Sequence, residues 1–295
     1  MIMKRMLKTW ILILSVLFII SSCVQKKDQK QTITVSILPQ KFFVEQIAGN
    51  KFPVNVMLPP GASPADYEPT TKQIKDLSNS TIYFYIGHLG FEKAWMKKFN
   101  ETVKDIDYVS CSRGIDLLRA DAEPEGVNDQ HKHGTDPHIW TSPENVKTIS
   151  KTICSSLSEK FPDMADEFEK NLNVFVSKID TLDNYIRINL ADSVRHSFMI
   201  FHPSMGYYAR DYNLEQLSIE FEGKSPSTAH LKKMVDLARA KNIQTIFVQA
   251  QFETAKAEVV AKEIDAEVVQ IDPLAEDWVN EMYSITDYMQ KALSK

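Results

Sequence analysis

The chain has 295 residues, of which 43% are hydrophobic and 25% are charged, a composition that is ordinary for a globular protein. Its formal net charge of −5 becomes −8 when the segment before Cys23, which holds three basic residues and no acidic one, is removed, so nucleic acid is not an expected partner. Besides Cys23 only Cys111 and Cys154 remain, which excludes a disulfide-stapled framework and leaves open whether these two thiols pair.

Residues 1–22 are predicted to be a lipoprotein signal peptide. A positively charged start precedes an apolar run over residues 10–20, which is too short to span a bilayer comfortably as a permanent helix. The Ile-Ser-Ser-Cys sequence that ends at Cys23 looks like a bacterial lipobox, in which Cys23 becomes the lipid-bearing first residue. The alternative is a plain signal peptide with an incidental cysteine. Residues 23–31 would then be a flexible tether, and we expect a membrane-anchored, extracytoplasmic protein in the periplasm or at the cell surface.

Residues 32–142 alternate strand-like and helix-like segments and are predicted to form an N-terminal α/β lobe. The predicted strands are residues 32–37, 53–58, 81–87 and 107–112. The predicted helices are residues 39–49, 70–78 and 91–103. Repeated units of this kind favour a parallel sheet covered on both faces.

Residues 143–192 are predicted to be a helical section that begins after a cap at Ser142 and breaks at Phe161-Pro162. From residue 163 to about residue 192, apolar side chains recur every three or four residues without a glycine or proline. A helix of about 30 residues would be roughly 45 Å long. We interpret it as a rigid strut that joins two lobes; the alternative is a helix packed on a single domain.

Residues 193–295 are predicted to form a C-terminal α/β lobe, because the alternation restarts there. The predicted strands are residues 197–201, 215–221, 245–249 and 267–271. The predicted helices are residues 205–210, 227–240, 254–264 and 277–293. Two doubly wound parallel-sheet lobes linked by one long helix enclose a cleft, and ligand groups are expected just past the carboxyl ends of the strands.

Three of the seven histidines fall between residues 129 and 140, and a His-rich tract beside acidic residues points to metal binding. His138 is the strongest candidate ligand, because Pro137 fixes the backbone before it and an Ile-Trp pair that should be buried follows it. His131 and His133 stand among polar residues and fit either a solvated loop or an accessory loop that collects zinc.

Two further candidates stand directly after apolar strands of the second half. His202 follows residues 197–201 and Asp272 follows residues 267–271, and a proline comes after each. An isolated aspartate before proline is often only a turn former. With His138 at the same cleft, however, the three residues supply two nitrogen ligands and one oxygen ligand for a transition metal. His88 ends a strand in the first half and is a further candidate.

Several segments together form a pattern that is highly specific. They are Pro59-Pro60-Gly61-Ala62-Ser63-Pro64, Tyr67-Glu68-Pro69-Thr70, Asp136-Pro137-His138-Ile139-Trp140, Phe201-His202-Pro203, Gly206-Tyr207-Tyr208-Ala209-Arg210-Asp211-Tyr212, Phe247-Val248 with Gln251-Phe252, and Ile271-Asp272-Pro273-Leu274. In these segments the chain resembles the cluster 9 (ZnuA/TroA-type) substrate-binding lipoproteins of zinc and manganese ABC importers. The resemblance implies two α/β lobes joined by the long helix, one transition-metal site between them, and delivery of the metal to a membrane permease. We expect a monomer that is not an enzyme.

The sequence departs from this family at Ala65, where the resemblance places a histidine ligand. A methyl group cannot coordinate metal, so the fourth ligand position must be filled otherwise. His88 is the preferred substitute, because it ends the neighbouring strand of the same lobe. Asp66 and Glu68 on the original loop are alternatives, as is a water molecule. His88 would otherwise orient a ligand rather than bind the metal.

Two or three imidazoles with one carboxylate favour tetrahedral zinc over manganese, whose sites lean on oxygen donors. The resemblance also links a histidine at position 202 with zinc. Since imidazole binds metal only when neutral, affinity is expected to fall below about pH 6.5. Alternative functions are a metalloenzyme with two histidines and one carboxylate, and a receptor for a chelated metal or an organic ligand. A strut without a glycine hinge predicts small lobe motion.

Overall fold

The computed structural model of the protein describes residues 31–120, 134–220 and 227–294. The predicted signal peptide, the lipidation candidate Cys23 and the loop histidines His131 and His133 lie outside these ranges. Across the part of the chain that is described, no helix combines the length and the apolar character needed to cross a membrane.

The N-terminal lobe is built on a four-stranded parallel sheet in the order β2-β1-β3-β4. Its strands are β1 (Thr32–Val35), β2 (Val54–Val56), β3 (Ser80–Tyr85) and β4 (Asp107–Ser110), and its helices are α1 (Leu38–Ala48), α2 (Thr71–Ser78) and α3 (Gly90–Thr102). The central strands β1 and β3 are buried along almost their whole length, as expected when helices cover both faces of a parallel sheet.

The C-terminal lobe repeats this plan with the order β6-β5-β7-β8. Its strands are β5 (Ser197–Ile200), β6 (Glu215–Ser218), β7 (Thr245–Gln249) and β8 (Glu267–Ile271). All four are parallel. The structure confirms the predicted pair of parallel-sheet α/β lobes. In each lobe the loops that follow the strands emerge at one edge of the sheet, and this edge is where a ligand site is expected.

Two helices, α4 (Pro143–Lys160) and α5 (Ala165–Leu190), connect the two sheets. The helices that follow the strands of the C-terminal lobe are α6 (Gly206–Asp211), α7 (Thr228–Ala240), α8 (Ala255–Ile264) and α9 (Trp278–Ser294). Helix α4 begins where the side-chain hydroxyl of Ser142 accepts a hydrogen bond from the backbone N–H of Asn145 at 3.0 Å. It ends at the Phe161-Pro162 step, because proline cannot continue a helix and instead opens a short 3-10 turn.

The long helix α5 has 26 residues, or about 39 Å at 1.5 Å per residue, somewhat shorter than the roughly 45 Å expected. Its first half packs on α1, where the rings of Phe175 and Phe43 lie 5.9 Å apart. Its second half packs on α9, where the rings of Tyr185 and Tyr283 lie 4.8 Å apart. Helix α5 therefore runs along both lobes.

The two remaining cysteines, Cys111 and Cys154, are free thiols, and both are buried. The Cys111 thiol accepts a hydrogen bond from the Gln40 side-chain amide at 3.3 Å, and burial raises the pKa of Cys111 to about 12. Both residues therefore act as small core side chains rather than as a crosslink.

Candidate metal centre

Two histidines from opposite halves of the chain meet at the edge where the strands end. His138 begins the 3-10 turn Ile139–Thr141, and His202 follows β5. Their Nε2 atoms are 3.3 Å apart, and their ring centroids are 5.1 Å apart. The His138 side chain is 8% exposed and that of His202 is 18% exposed, so water reaches little of either ring. The fold thus brings together two of the residues predicted to bind metal.

A buried carboxylate holds the far nitrogen of each ring. Oδ1 of Asp136 accepts a hydrogen bond from the backbone N–H of His138 at 2.9 Å and lies 2.8 Å from its Nδ1. Oε2 of Glu220 lies 2.7 Å from Nδ1 of His202. An ionised carboxylate only accepts hydrogen bonds, so each neutral ring carries its proton on Nδ1. Both rings therefore present the lone pair of Nε2 to each other.

The separation of the two Nε2 atoms of His138 and His202 fits a shared metal ion. Two lone pairs facing each other at 3.3 Å repel unless a proton or a cation lies between them. Zinc–nitrogen bonds of about 2.0–2.1 Å at a tetrahedral angle place two nitrogens about 3.3–3.4 Å apart. The observed distance matches that of two imidazoles bound to a single zinc ion.

Burial lowers the pKa of His202 below its usual value. The hydrogen bond to Glu220 raises the pKa and opposes this effect, while the neighbouring His138 lowers it further. The neutral ring, which is the form that binds metal, is accordingly favoured at His202.

A cavity of about 30 Å³ adjoins the two histidines. One wall is Phe252, whose ring stacks on that of His202 with centroids 4.9 Å apart and planes at 20°. Pro64 and Ala65 line it from the loop after β2. A space of this size holds an ion or a water molecule and is about a tenth of the smallest pockets that enclose organic ligands.

Asp272 stands directly after β8, as predicted, but its carboxylate borders a neighbouring cavity, which is lined also by Pro59, Gly61 and Gln251. Oδ1 of Asp272 accepts a hydrogen bond from the Gln251 side-chain amide at 2.7 Å. Within residues 31–120, 134–220 and 227–294, no three His, Cys, Asp or Glu side chains are grouped as a complete metal site. Asp272 therefore borders a cavity next to the histidine pair but does not form a three-residue metal site with it in this structure.

None of the side chains predicted to fill the fourth ligand position is among the described residues that line the cavity beside the histidine pair. Ala65 lines the cavity, whereas Asp66 and Glu68, which are exposed like Ala65, are not among the described residues that line it. His88 lies on the loop between β3 and α3 and is not among the described residues that line the cavity. Burial and the charge of Lys93 lower the pKa of His88. Its role as a ligand stays a prediction.

The loop that carries His88 is fixed from within the lobe by Glu92. The buried Glu92 carboxylate accepts hydrogen bonds from the backbone N–H groups of Ile86, Gly87 and Leu89 at 2.8, 2.7 and 3.3 Å. Burial raises the pKa of this carboxyl, and its hydrogen bonds oppose the rise. The backbone on both sides of His88 is therefore held in place by a buried carboxylate.

Sequence reasoning missed the residues that orient the two histidines. Glu220 falls inside the predicted strand 215–221, but β6 ends at Ser218, so Glu220 lies past the strand tip beside His202. Asp136 belongs to the motif around His138, yet no role was predicted for it. The sequence did offer one signal for Glu220. It is an acidic residue near the end of the strand that neighbours the one before His202.

Comparison with known proteins places the whole described chain in one group. The family described as "Zinc-uptake complex component A periplasmic" (ZnuA) matches residues 33–293. The zinc-binding lipoprotein AdcA of Streptococcus pneumoniae is 28% identical over 270 residues, covering 88% of this chain and 54% of the relative. The chain thus spans about half the length of AdcA. The high-affinity zinc uptake system protein ZnuA of Bacillus subtilis is 26% identical, covering 91% of this chain and 90% of the relative.

Solved structures show the same similarity. A crystal structure of a protein named ZnuA is 37% identical with a TM-score of 0.84, covering 90% of this chain and 99% of the other. A crystal structure of a ZnuA deletion mutant with zinc bound is 36% identical with a TM-score of 0.83, covering 90% of this chain and 98% of the other.

Proposed function

The chain belongs to the ZnuA family of zinc-uptake components, and from that premise we propose that it binds zinc outside the cytoplasm and delivers it to the permease of an ABC importer. The zinc ion is cargo rather than a resident cofactor. His138, His202 and Asp272 are its proposed ligands, and a water molecule or His88 fills the position that Ala65 leaves open.

The observation that carries this proposal is the pair of Nε2 atoms 3.3 Å apart. Both histidines are turned towards each other by a buried carboxylate on the opposite nitrogen, which is a common way to orient metal-binding imidazoles. The donor set of two imidazoles and one carboxylate favours zinc, whereas manganese prefers more oxygen donors.

Two competing functions have less support. A receptor for an organic ligand or a chelated metal needs far more room than the cavity of about 30 Å³ provides. A metalloenzyme would share the donor set, but membership in a family of zinc-uptake components favours binding and release over turnover.

Titration of the purified protein with zinc tests the metal site. We expect one zinc ion per chain, and we expect His202→Ala and His138→Ala to lose high-affinity binding. His196, which is exposed and precedes β5 at the opposite end of that strand from His202, provides the matched control, and His196→Ala should bind zinc like the unchanged protein. Equal zinc affinity in the His202→Ala and His196→Ala variants would exclude the site.

The location of the protein is tested separately. We propose that Cys23 carries a lipid that anchors the protein to the membrane, with residues 24–31 as the tether. Cys23→Ala should move the protein from the membrane fraction to the soluble fraction without changing its zinc affinity. Retention of this variant in the membrane fraction would contradict anchoring through Cys23.

A further inference from the structure

Among the described residues, the donors to the Asp272 carboxylate both bind the same oxygen atom. Its Oδ1 accepts hydrogen bonds from the Gln251 side-chain amide at 2.7 Å and from the backbone N–H of Leu274 at 3.1 Å. Since both donors act on Oδ1, the other oxygen, Oδ2, is the one that a metal ion can take. The same division exists in His138 and His202, where a partner holds Nδ1 and Nε2 faces the other ring.

Gln251 stands between Asp272 and the histidine pair. Its side chain lines the cavity beside His138 and His202, and it also lines the neighbouring cavity that Asp272 borders. Gln251 is thus in a position to control how the carboxylate of Asp272 approaches the metal.

The short turn that carries Gln251 also fixes His202. Oε1 of Gln249 accepts a hydrogen bond from the backbone N–H of His202 at 3.3 Å, and its Nε2 donates to the His202 carbonyl and, at 2.6 Å, to the hydroxyl of Ser204. Phe252 stacks on the His202 ring. One segment, residues 249–252, therefore contacts both proposed ligands of the C-terminal lobe.

We propose that Gln251 is a positioning residue for zinc binding. Its amide orients the Asp272 carboxylate so that Oδ2 closes onto the metal held by His138 and His202. The inference rests on the proposed function, since it concerns the oxygen ligand of that site. A hydrogen-bonded partner of this kind contributes about 10- to 100-fold to metal affinity.

The test uses Gln251→Met, which keeps the length of the side chain and removes the amide donor. We expect its zinc affinity to fall by about tenfold or more, with an unchanged melting temperature of the metal-free protein. The matched control is Gln244→Met, an exposed glutamine of the same lobe, which should bind zinc like the unchanged protein.

A double-mutant cycle separates positioning from a general structural effect. In the Asp272→Ala background, Gln251→Met should cause no further loss of zinc affinity, because there is no carboxylate left to orient. An equal loss in both backgrounds would overturn the inference, as would unchanged affinity in Gln251→Met alone. If the unchanged protein itself bound no zinc, both the proposed function and this inference would be wrong.

Discussion

The indole N–H of Trp140 donates a hydrogen bond to the carbonyl oxygen of Pro273 at 2.8 Å, and both groups are buried. Trp140 lies two residues after His138, and Pro273 directly follows Asp272, so this bond joins the segments that carry two proposed ligands. The indole of Trp278 in turn donates to the carbonyl oxygen of Trp140 at 2.8 Å. These contacts between the two halves of the chain support the expectation of small lobe motion.

Trp140→Phe removes the indole donor and leaves the Pro273 carbonyl without this partner. We expect a loss of about 1–3 kcal/mol in the free energy of unfolding from the unsatisfied carbonyl, together with weaker zinc binding. Chemical denaturation and zinc titration measure the two effects. Trp95→Phe, at a half-buried position on α3, is the control and should leave zinc affinity unchanged. Unchanged zinc affinity in Trp140→Phe would show that this hydrogen bond does not contribute to zinc binding.

Ala65→His tests whether the loop after β2 has lost a ligand. Because Ala65 lines the cavity beside His138 and His202, we expect an imidazole at this position to reach a metal ion held there. We expect zinc affinity to rise by about tenfold or more, measured by competition with a chelating dye. Ala191→His, at an exposed position after α5, is the control. A loss of affinity in Ala65→His would show that the fourth position is filled from elsewhere.

Zinc affinity should fall as pH decreases, because each imidazole must lose its proton to bind metal. Burial lowers the pKa of His202, so this fall should begin below the usual histidine value of about 6.5. The metal-free protein should also lose stability in this window. Between the folded-state pKa of His202 and about 6.5, the unfolded chain binds more protons, and stability therefore decreases as pH falls. Calorimetric titrations between pH 5 and 7 test the first effect, and pH-independent affinity would contradict it.

Glu220→Gln removes the charge that supports the His202 ring and keeps nearly the same side-chain volume. The carboxylate makes the imidazole a stronger ligand, so we expect zinc affinity to fall by about tenfold. Glu215→Gln offers a control at the other end of β6, where the carboxylate binds Lys241 rather than a histidine. Similar affinities in both variants would exclude a supporting role for Glu220.

The fold was predictable because in both lobes the alternation of strands and helices is visible in short stretches of the sequence. Short strands of three to six residues alternate with amphipathic helices, and proline and glycine mark most of the boundaries. Position after a strand made His202 and Asp272 candidate ligands. It was not enough to find their partners, because Glu220 and Gln251 reach the site from neighbouring strands, and single-sequence spacing does not reveal such contacts.

The same reasoning applies to His88, which also follows a strand. Ligand residues often follow parallel strands, but in the described part of the chain six strands other than those before His202 and Asp272 also end at such edges. Which of their side chains enters the cleft depends on how each loop packs. Glu92 fixes the loop of His88 through three backbone N–H groups, and that buried contact left no periodic signal in the sequence.

The ring of Trp140 lies 5.3 Å from that of His138 and is 1% exposed. If zinc binds at the proposed site, an indole this close to the His138 imidazole should sense the charge that arrives with each ion. Its ultraviolet emission should therefore change in wavelength or intensity as zinc binds and leaves. The emission of Trp140 would then serve as a built-in optical reporter, with which loading and release could be followed in real time without an added dye.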